Sequence, residues 1–336
     1  MRAARFHPGE GLRIEDVDRP DPDPGEVLVE VAGCGLCHSD LHLLDGDLPV
    51  MGPTTLGHEV AGRVAETGDG VSVEPGTEVA VFGGWGCREA GCPHCSAGLD
   101  QRCNLVSWMG IGTDGGYAEY VRVPTERYLL PLDGLDPARA APLTDAALTP
   151  YRTVQTAGDL TPADTVVVLG IGGLGAFGVQ FAAMTGARVV AVDLDSERLE
   201  RAAALGAHVT VDASGGGVPG RVKREAGKAA AVCDFVGSDE TLGWGTNLLE
   251  TGGRLVLAGL AGGSVPFEWN PLVGSEVSFH TVSWGSLPEL REVLEIARQG
   301  RLEWETEPVG FDGLSDALRR LEAGEMHGRG VLTPGH

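Results

Sequence analysis

A cysteine and a histidine in the first part of the chain have the types and the setting of metal ligands. Cys37 stands in the segment Gly-Leu-Cys-His-Ser-Asp, and His58 stands in the segment Gly-His-Glu. Either residue alone would more simply be a buried cysteine or a hydrogen-bonded core histidine. Thiolate sulfur and imidazole nitrogen are, however, ligands that zinc prefers, and a catalytic zinc site keeps one position open for a reactant. The two residues together, each near glycine, therefore favour a metal site that could polarise an oxygen atom.

A second group of sulfur ligands follows along the chain. Its members have the close spacing of a structural metal site and are Cys87, Cys92, Cys95 and Cys103. Four thiolates close the coordination shell of zinc, so such an ion would stabilise a loop and take no part in chemistry. The chain has seven cysteines. An odd number with four at metal spacing fits a zinc protein of the reducing cytoplasm better than a disulfide framework.

A glycine-rich motif in the middle of the chain indicates a nucleotide-binding turn. It follows the apolar run 165–169 and precedes a helix that we predict from about residue 173. In such a turn the first glycine permits the tight bend, the second lets backbone amides approach a pyrophosphate, and the third allows the helix and the strand to pack closely. The anion would lie at the N-terminus of the helix. The predicted cofactor loop consists of Gly170, Gly172, Gly173, Leu174 and Gly175.

An acidic residue ends the next apolar strand, which is predicted over 188–192. This residue is Asp193, and a carboxylate at this place accepts hydrogen bonds from the adenosine ribose of a dinucleotide. A phosphate on the 2′ oxygen would meet the negative charges of Asp193 and Asp195. The sequence therefore predicts NAD rather than NADP as the cofactor.

The pattern of apolar residues predicts two kinds of domain. Residues 1 to about 145 contain short strands between glycine and proline turns, whereas continuous apolar strands alternate with helices from about residue 150. The second pattern is typical of a parallel sheet covered on both faces. Two further helices, over 288–298 and 314–322, are expected to pack back on the first domain. The predicted organisation is a catalytic domain over 1–147, a nucleotide-binding domain over 148–284 and a returning segment over 285–336.

The charge of the chain excludes some classes of partner. Its 336 residues include 48 acidic and 25 basic side chains, for a formal net charge of -23. Binding to the phosphates of nucleic acids needs positive charge, and anionic membranes would also repel this chain. The first residues lack the apolar segment of a secretion signal. We therefore expect a cytoplasmic protein that binds neither nucleic acid nor membrane.

These motifs, in this order, resemble the zinc-containing medium-chain alcohol dehydrogenase family, and particularly its bacterial secondary-alcohol dehydrogenases. The resemblance runs from Gly25-Glu26-Val27 through Gly57–Gly62 to Gly328–Leu332, which is essentially the whole chain. It implies an α/β protein with a β-rich GroES-like catalytic domain and a Rossmann domain whose parallel sheet is doubly wound. It also implies hydride transfer between NAD(H) and a primary or secondary alcohol, which gives an aldehyde or a ketone. The family forms homodimers and homotetramers, and we expect one of these states.

Two alternative functions differ from this interpretation. A sugar or polyol dehydrogenase has the same fold, and carboxylate zinc ligands also occur in that branch. A non-catalytic nucleotide-binding relative is an alternative of another class, but such relatives generally lack the catalytic ligands. Metal-free quinone or enoyl reductases are disfavoured for the same reason.

The resemblance also suggests the third ligand of a catalytic zinc. The family usually has cysteine in a segment like Ala141–Ala146, where this chain has Asp145. Two anions and one neutral imidazole still balance the charge of the dication, so Cys37, His58 and Asp145 are the predicted ligands, with water or substrate oxygen as the fourth. Glu59 either coordinates the ion transiently, as in the family, or forms an ion pair beside it.

Other residues match positions with known roles in the family. Asp40 resembles the carboxylate that orients the histidine ligand. Ser39 and His42 match a hydroxyl and an imidazole that relay the alcohol proton through the cofactor ribose to water, although His42 could also be a surface side chain. Arg198 matches a basic residue near the adenosine ribose and Arg329 one that reaches the pyrophosphate. Each arginine could instead be a surface charge.

The four-cysteine cluster departs from the family in one respect. The first gap is normally two residues, and here the four residues Arg88-Glu89-Ala90-Gly91 separate Cys87 from Cys92. The added residues could bulge while all four ligands stay together, or they could displace Cys87 and leave the site vacant. We predict an occupied zinc site.

Overall fold

The computed structural model of the chain describes residues 1–47, 52–265 and 274–335. The chain divides into two compact units. The first unit is built from Met1–Ala146 together with Ser286–His336, and the second is Ala147–Gly285. Within the described ranges, no helix combines the length and the apolar character needed to cross a bilayer.

The strands and helices are named here in chain order. The strands are β1 (Arg2–His7), β2 (Gly11–Asp16), β3 (Val27–Gly35), β4 (Thr54–Thr55), β5 (Glu59–Thr67), β6 (Glu78–Val81), β7 (Gly84–Trp85), β8 (Ser107–Trp108), β9 (Tyr120–Val123), β10 (Leu129–Pro131), β11 (Thr165–Leu169), β12 (Arg188–Asp193), β13 (Val209–Asp212), β14 (Ala229–Asp234), β15 (Leu249–Leu257), β16 (Ser278–Thr281), β17 (Thr306–Val309) and β18 (Arg329–Leu332). The helices are α1 (His38–Leu44), α2 (Pro93–Ser96), α3 (Pro137–Ala140), α4 (Leu148–Thr156), α5 (Gly175–Met184), α6 (Ser196–Ala204), α7 (Val218–Ala226), α8 (Asp239–Leu248), α9 (Leu287–Arg298) and α10 (Leu314–Glu322).

The first unit is organised around β3. This strand pairs antiparallel with β5, β9 and β18 in a sheet of order β10-β6-β5-β3-β18-β17. Its buried valine and leucine side chains form part of the core. At the end of β3, Gly35 lies opposite Glu59 of β5 and opposite Val331 of β18. Three segments that are distant in the sequence therefore meet where β3 leads into α1.

The second unit contains a six-stranded parallel sheet. Its order is β13-β12-β11-β14-β15-β16, and each neighbouring pair is parallel. The first strand of the unit thus lies inside the sheet, and strand order reverses beside it, as in the Rossmann fold. Buried apolar residues of these strands pack with residues of α7 and α8 to form the core. The predicted α/β fold with a doubly wound parallel sheet is confirmed.

Local differences from the sequence prediction have simple causes. The helix predicted from about residue 173 begins at Gly175, since the two residues before it form a turn. The N-cap of α6 is Asp195, whose carboxylate accepts hydrogen bonds from the amides of Glu197 and Arg198. An aspartate at the N-cap satisfies backbone amides of the first turn that have no partner within the helix.

Candidate metal centres and nucleotide site

The structure brings together the predicted ligands of the catalytic metal. Donor atoms of Cys37, His58, Glu59 and Asp145 all lie within 4.8 Å of one another, and all four residues are buried. Oδ2 of Asp145 is 3.6 Å from Nε2 of His58 and 4.0 Å from Sγ of Cys37. Ligands held by one tetrahedral zinc are roughly 3.3–3.8 Å apart, so the observed spacing fits a common ion.

Local structure explains how each ligand reaches this cluster. Cys37 is the N-cap of α1 at the end of β3, His58 immediately precedes β5, and Asp145 follows a 3-10 turn over Ala141–Thr144. Because β3 and β5 pair with Gly35 opposite Glu59, the segments that carry Cys37 and His58 lie side by side.

The charges around His58 suit a cation. Burial by itself lowers the pKa of His58, but the negative charge of Asp40 and the nearby polar atoms of Asp145, Asp40 and Cys37 raise that pKa well above its ordinary value. Surroundings that favour an imidazolium also favour a metal dication. The donor set, with one sulfur, one imidazole nitrogen and one carboxylate oxygen, is the kind that zinc prefers.

Asp40 joins two of the candidate ligands. Its Oδ2 accepts a hydrogen bond of 2.9 Å from the backbone amide of Cys37, and its Oδ1 lies 3.4 Å from Nδ1 of His58. Asp40 is fully buried. Nε2 of His58 thus faces Asp145, while Nδ1 faces Asp40, which is the arrangement by which carboxylates orient histidine ligands.

Tyr117 is a part of this site that sequence reasoning missed. Its hydroxyl donates a hydrogen bond of 2.7 Å to Oδ2 of Asp40. Burial and the neighbouring charge of Asp40 raise the pKa of Tyr117 well above its ordinary value, so the phenol stays a donor. The only sequence signal was an aromatic residue after two glycines, and nothing in it pointed to Asp40.

Glu59 and Arg329 form a buried ion pair. Nε of Arg329 donates a hydrogen bond of 3.0 Å to Oε2 of Glu59, and Nη2 donates to Oε1. Gly35 makes space for this carboxylate, because a Cβ atom at position 35 would lie 1.8 Å from Oε2. Of the two roles left open for Glu59, the ion pair is present in the structure. The predicted contact of Arg329 with a pyrophosphate stays a prediction.

The predicted proton relay occupies one helix. Ser39 and His42 are three residues apart in α1 and therefore share a helical face. Oγ of Ser39 is 3.6 Å from Sγ of Cys37, so the hydroxyl lies beside the metal cluster. His42 is partly exposed, and its Nδ1 is 3.0 Å from Oδ2 of Asp47. The two side chains thus lead from the buried cluster toward solvent.

The four-cysteine cluster is also assembled. Donor atoms of Cys87, Cys92, Cys95 and Cys103 lie within 4.8 Å of one another, and all seven cysteines of the chain are free thiols. Sγ of Cys87 is 3.8 Å from that of Cys95, and Sγ of Cys92 is 4.0 Å from that of Cys103. Sulfurs around one tetrahedral zinc are roughly 3.8 Å apart, so this cluster fits a structural ion.

The long first gap is accommodated as a bulge. Arg88 takes a left-handed backbone conformation with φ of 62°, and the amide of Cys92 donates to the carbonyl of Glu89. The guanidinium of Arg88 donates a hydrogen bond of 2.8 Å to the carbonyl oxygen of Pro124. The extra residues therefore turn outward, and Cys87 remains with the other sulfurs.

A polar network centred on the buried Asp100 lies beneath the four cysteines, and sequence reasoning missed it. Tyr128 donates a hydrogen bond of 2.9 Å to Oδ1 of Asp100, and Arg127 donates one of 2.8 Å to Oδ2. Arg127 also donates to the carbonyl oxygen of Cys95. Asp100 is fully buried. The network ties the cysteine lobe to the segment that leads into β10.

The predicted nucleotide loop has the required glycines. Gly170 has a φ of 82°, which favours glycine. A Cβ at Gly175 would lie 1.8 Å from the carbonyl oxygen of Gly170, so only glycine permits this close packing. A Cβ at Gly172 would meet nothing within 4 Å, which leaves open space above the loop. Gly173 and Leu174 form the turn that leads into α5.

Asp193 is fixed at the end of β12. Its Oδ2 accepts a hydrogen bond of 2.6 Å from the amide of Ile171 in the nucleotide loop, and its Oδ1 accepts one of 3.0 Å from the amide of Asp195. The carboxylate thus stands at the loop where a ribose is predicted. Nε of Arg198 is 3.7 Å from Oδ2 of Asp195, and its predicted contact with the ribose is not tested by this geometry.

Comparison with known proteins gives a consistent result. Residues 23–134 match the family model of the alcohol dehydrogenase GroES-like domain, and residues 173–299 match that of the zinc-binding dehydrogenases. The NAD-dependent alcohol dehydrogenase of Sulfurisphaera tokodaii is 36% identical, over 99% of this chain and 100% of that protein. The alcohol dehydrogenase of the archaeon Aeropyrum pernix has a similar structure, with a TM-score of 0.92, 37% identity, and coverage of 99% of this chain and 100% of that one.

A protein named for a sugar substrate is also similar to this chain. The D-arabinose 1-dehydrogenase (NADP(+)) of Saccharolobus solfataricus is 32% identical, over 97% of this chain and 95% of that protein.

Proposed function

This chain belongs to the zinc-containing medium-chain alcohol dehydrogenase family, and we propose that Cys37, His58 and Asp145 hold its catalytic zinc. The protein is an NAD-dependent oxidoreductase that interconverts alcohols with aldehydes or ketones. The observation that carries the site assignment is the convergence of these three donor groups, within 4.8 Å, in a buried pocket that stabilises positive charge. Cys87, Cys92, Cys95 and Cys103 would hold a second, structural zinc.

When bound, zinc supplies a Lewis acid that lowers the pKa of an alcohol oxygen, and NAD supplies the hydride acceptor. The residues of this chain then have distinct tasks. Asp40 orients His58. Ser39, beside Cys37, would accept the alcohol proton as it gives up its own hydroxyl proton, and His42 at the exposed side of α1 would take up the relayed proton and release one to water. Glu59 is held by Arg329 and shapes the wall of the site.

The cofactor site would lie at the glycine loop. Amides of the loop from Gly170 to Gly175 would bind the pyrophosphate, and Asp193 would accept hydrogen bonds from the adenosine ribose. Arg198 and Arg329 are proposed as further cofactor contacts. The compact units support the proposed division into a catalytic domain over 1–147, an NAD-binding domain over 148–284 and a segment over 285–336 that belongs with the first.

We also expect a cytoplasmic homodimer or homotetramer. In the described part of the second unit, β16 pairs only with β15 and forms one edge of the sheet. An edge strand offers unpaired backbone groups to another chain. The seven free thiols fit a reducing compartment. Light scattering coupled to size-exclusion chromatography would determine the oligomeric state.

Metal analysis tests the site assignment. We expect two zinc ions per chain in the wild type and one in Asp145→Ala, with loss of alcohol oxidation. Cys87→Ser is the matched control: it should also lose one ion, but the ion that remains should still support turnover. An unchanged zinc content in Asp145→Ala would exclude Asp145 as a ligand.

Substrate assays distinguish the proposed function from its alternative. Turnover of propan-2-ol, followed by the absorbance of NADH, should exceed turnover of glucose and sorbitol. Because one relative acts on D-arabinose, that sugar belongs in the same panel. Higher kcat/KM with a sugar than with propan-2-ol would support the sugar dehydrogenase instead, and no turnover of any alcohol would contradict both.

A further inference from the structure

We propose that Tyr117 is a positioning residue for the catalytic metal, because its hydroxyl holds the Asp40 carboxylate in the orientation in which Oδ1 faces His58. The inference rests on the proposed zinc site. It concerns the support of that site and assigns Tyr117 no contact with metal or substrate.

The first observation is the hydrogen bond itself. Tyr117 is fully buried, and its oxygen lies 2.7 Å from Oδ2 of Asp40 and 3.4 Å from the carbonyl oxygen of Gly35. A phenol has one hydrogen to donate, and the shorter contact to a charged oxygen is the stronger. The hydroxyl of Tyr117 therefore donates its hydrogen bond to Asp40.

The second observation is that the fixed carboxylate of Asp40 faces His58. Oδ2 receives hydrogen bonds from both Tyr117 and the amide of Cys37, which fixes the plane of the carboxylate. The other oxygen, Oδ1, then lies 3.4 Å from Nδ1 of His58. A carboxylate with only one donor on Oδ2 could rotate, and the imidazole would lose its fixed orientation.

The third observation is that the tyrosine also packs against the backbone before His58. A Cβ at Gly57 would lie 2.5 Å from Cδ1 of the Tyr117 ring, so the ring closely approaches that residue. The amide of Tyr117 donates to the carbonyl of Leu56, and its own carbonyl accepts from the amide of Ala4. The phenol is thus attached to a rigid frame that supports both the backbone and the side-chain partner of His58.

The chain offers a matched control for this hydroxyl. Tyr128 is also fully buried and also donates to a fully buried aspartate, Asp100, at 2.9 Å. Asp100 supports the four-cysteine lobe through Arg127 and the carbonyl of Cys95. The variants Tyr117→Phe and Tyr128→Phe therefore remove the same atom from the same kind of pair at two different metal centres.

The test measures zinc release from the purified holoenzyme into a chromogenic chelator, with residual activity recorded on the same samples. The zinc whose loss abolishes activity identifies the catalytic ion. Loss of a partner that supports a metal ligand typically weakens metal binding by about 10–100-fold, so Tyr117→Phe should release the catalytic zinc at least about tenfold faster. Tyr128→Phe should leave that rate unchanged.

A second measurement tests whether the hydroxyl of Tyr117 acts through Asp40. Asp40→Asn keeps the shape of the side chain and one oxygen that can accept from Tyr117, but it removes the negative charge and the carboxylate oxygen that faces His58. Adding Tyr117→Phe to Asp40→Asn should therefore accelerate zinc release much less than it does in the wild type. Independent, multiplicative effects of the two changes would overturn the inference.

Three further results would also overturn it. One is a lower melting temperature of Tyr117→Phe with an unchanged rate of zinc release, which would mean a purely structural role. Another is equal acceleration by Tyr128→Phe. The third is an Asp145→Ala variant with the same zinc content as the wild type, which would exclude the proposed site itself. Because this zinc content is measured first, failure of the site assignment can be distinguished from failure of the inference about Tyr117.

Discussion

Arg329 of β18 donates from Nε and Nη2 to the carboxylate of Glu59, the residue that follows the candidate ligand His58. Both side chains are buried, with exposed fractions of 5% and 0%. Burial by itself lowers the pKa of Arg329, but the charge of Glu59 and, after it, that of Cys37 raise it well above its ordinary value. The arginine thus remains a cation among the anionic groups of the candidate metal site.

Breaking this pair should cost much stability. Removal of one partner of a buried ion pair leaves the other charge uncompensated, at a cost of about 3–5 kcal/mol. We therefore expect Arg329→Gln to lower the free energy of unfolding in urea by an amount in this range. The double variant Glu59→Gln/Arg329→Gln should recover part of the loss, because neither buried charge remains.

Arg320 and Glu307 provide the control pair. Arg320 donates two hydrogen bonds, of 2.5 Å and 3.1 Å, to Glu307, but both side chains are partly exposed, at 28% and 32%. Exposed pairs contribute about 0–1 kcal/mol, so Arg320→Gln should have a small effect. Equal losses in the Arg329 and Arg320 variants would contradict the importance of burial.

The nucleotide loop allows binding and folding to be separated. A Cβ at Gly172 would meet no atom within 4 Å, so Gly172→Ala should change the stability of the free protein by no more than about 0.5 kcal/mol. The methyl group added by Gly172→Ala would nevertheless lie between the loop backbone and the pyrophosphate, which the backbone amides are proposed to bind. We expect the Kd for NAD, measured by titration calorimetry, to rise at least tenfold.

Gly175→Ala, in contrast, should reduce the stability of the free protein. Its Cβ would lie 1.8 Å from the carbonyl oxygen of Gly170, and such overpacking costs about 1–3 kcal/mol. Urea unfolding of the free protein should therefore show the loss of stability before any nucleotide is added.

If Gly172→Ala bound NAD as tightly as the wild type, the pyrophosphate would have to lie elsewhere.

These examples show which parts of the site a single sequence can predict. The glycine loop and Asp193 were predictable because the strand, the turn and the helix are consecutive, and the chemistry of the loop depends on their local order. Parallel pairing of β11 with β12 then brings Asp193 near the loop. The four cysteines were predictable for the same reason, since a metal site of short loops has a characteristic spacing.

The residues that support the candidate ligands could not be predicted in this way. Tyr117 and Asp40 are 77 positions apart, and Arg329 and Glu59 are 270 apart. Such contacts depend on the register of β3 with β5 and β18, which a single sequence does not specify to the residue. The resemblance to a family suggested the candidate ligands, but the residues that contact and support them became visible only in three dimensions.

The pair of His42 and Asp47 provides a test of the proton relay. Nδ1 of His42 lies 3.0 Å from Oδ2 of Asp47, which would leave Nε2 for the proton that leaves the site. An exposed pair contributes about 0.2–1 kcal/mol, so Asp47→Asn should lower kcat by no more than about fivefold. His42→Ala should lower it by more, because it removes the imidazole.

A double-mutant cycle makes this prediction specific. If Asp47 acts only by orienting the imidazole, Asp47→Asn should have no further effect on kcat in the His42→Ala background. The measurement is the steady-state rate of NADH formation at saturating alcohol and NAD. An equal reduction by Asp47→Asn in both backgrounds would mean that Asp47 acts without His42.

Glu126 leads to a prediction about the pH dependence of stability, away from both metal centres. Its Oε2 accepts hydrogen bonds of 2.7 Å from the amide of Ser72 and 2.8 Å from that of Val73. These bonds, the one from Ser72 first, lower the pKa of Glu126. A lowered pKa in the folded protein means that ionised Glu126 stabilises the fold above the unfolded-state value of about 4.3. This stabilisation is lost as the pH falls through the folded-state pKa.

The variant Glu126→Gln keeps the shape of the side chain and removes the charge. The free energy of unfolding in urea should therefore be lower than that of the wild type at pH 7. The gap should begin to narrow below about pH 4.3, where the unfolded carboxylate takes up a proton. It should close once the wild-type carboxyl is protonated in both states. Glu322→Gln, at an exposed position of α10, controls for the general loss of one negative charge from an acidic protein. A gap of constant size across this pH range would mean that the amides of Ser72 and Val73 bind the protonated carboxyl of Glu126 as well as its carboxylate, so that they do not lower its pKa.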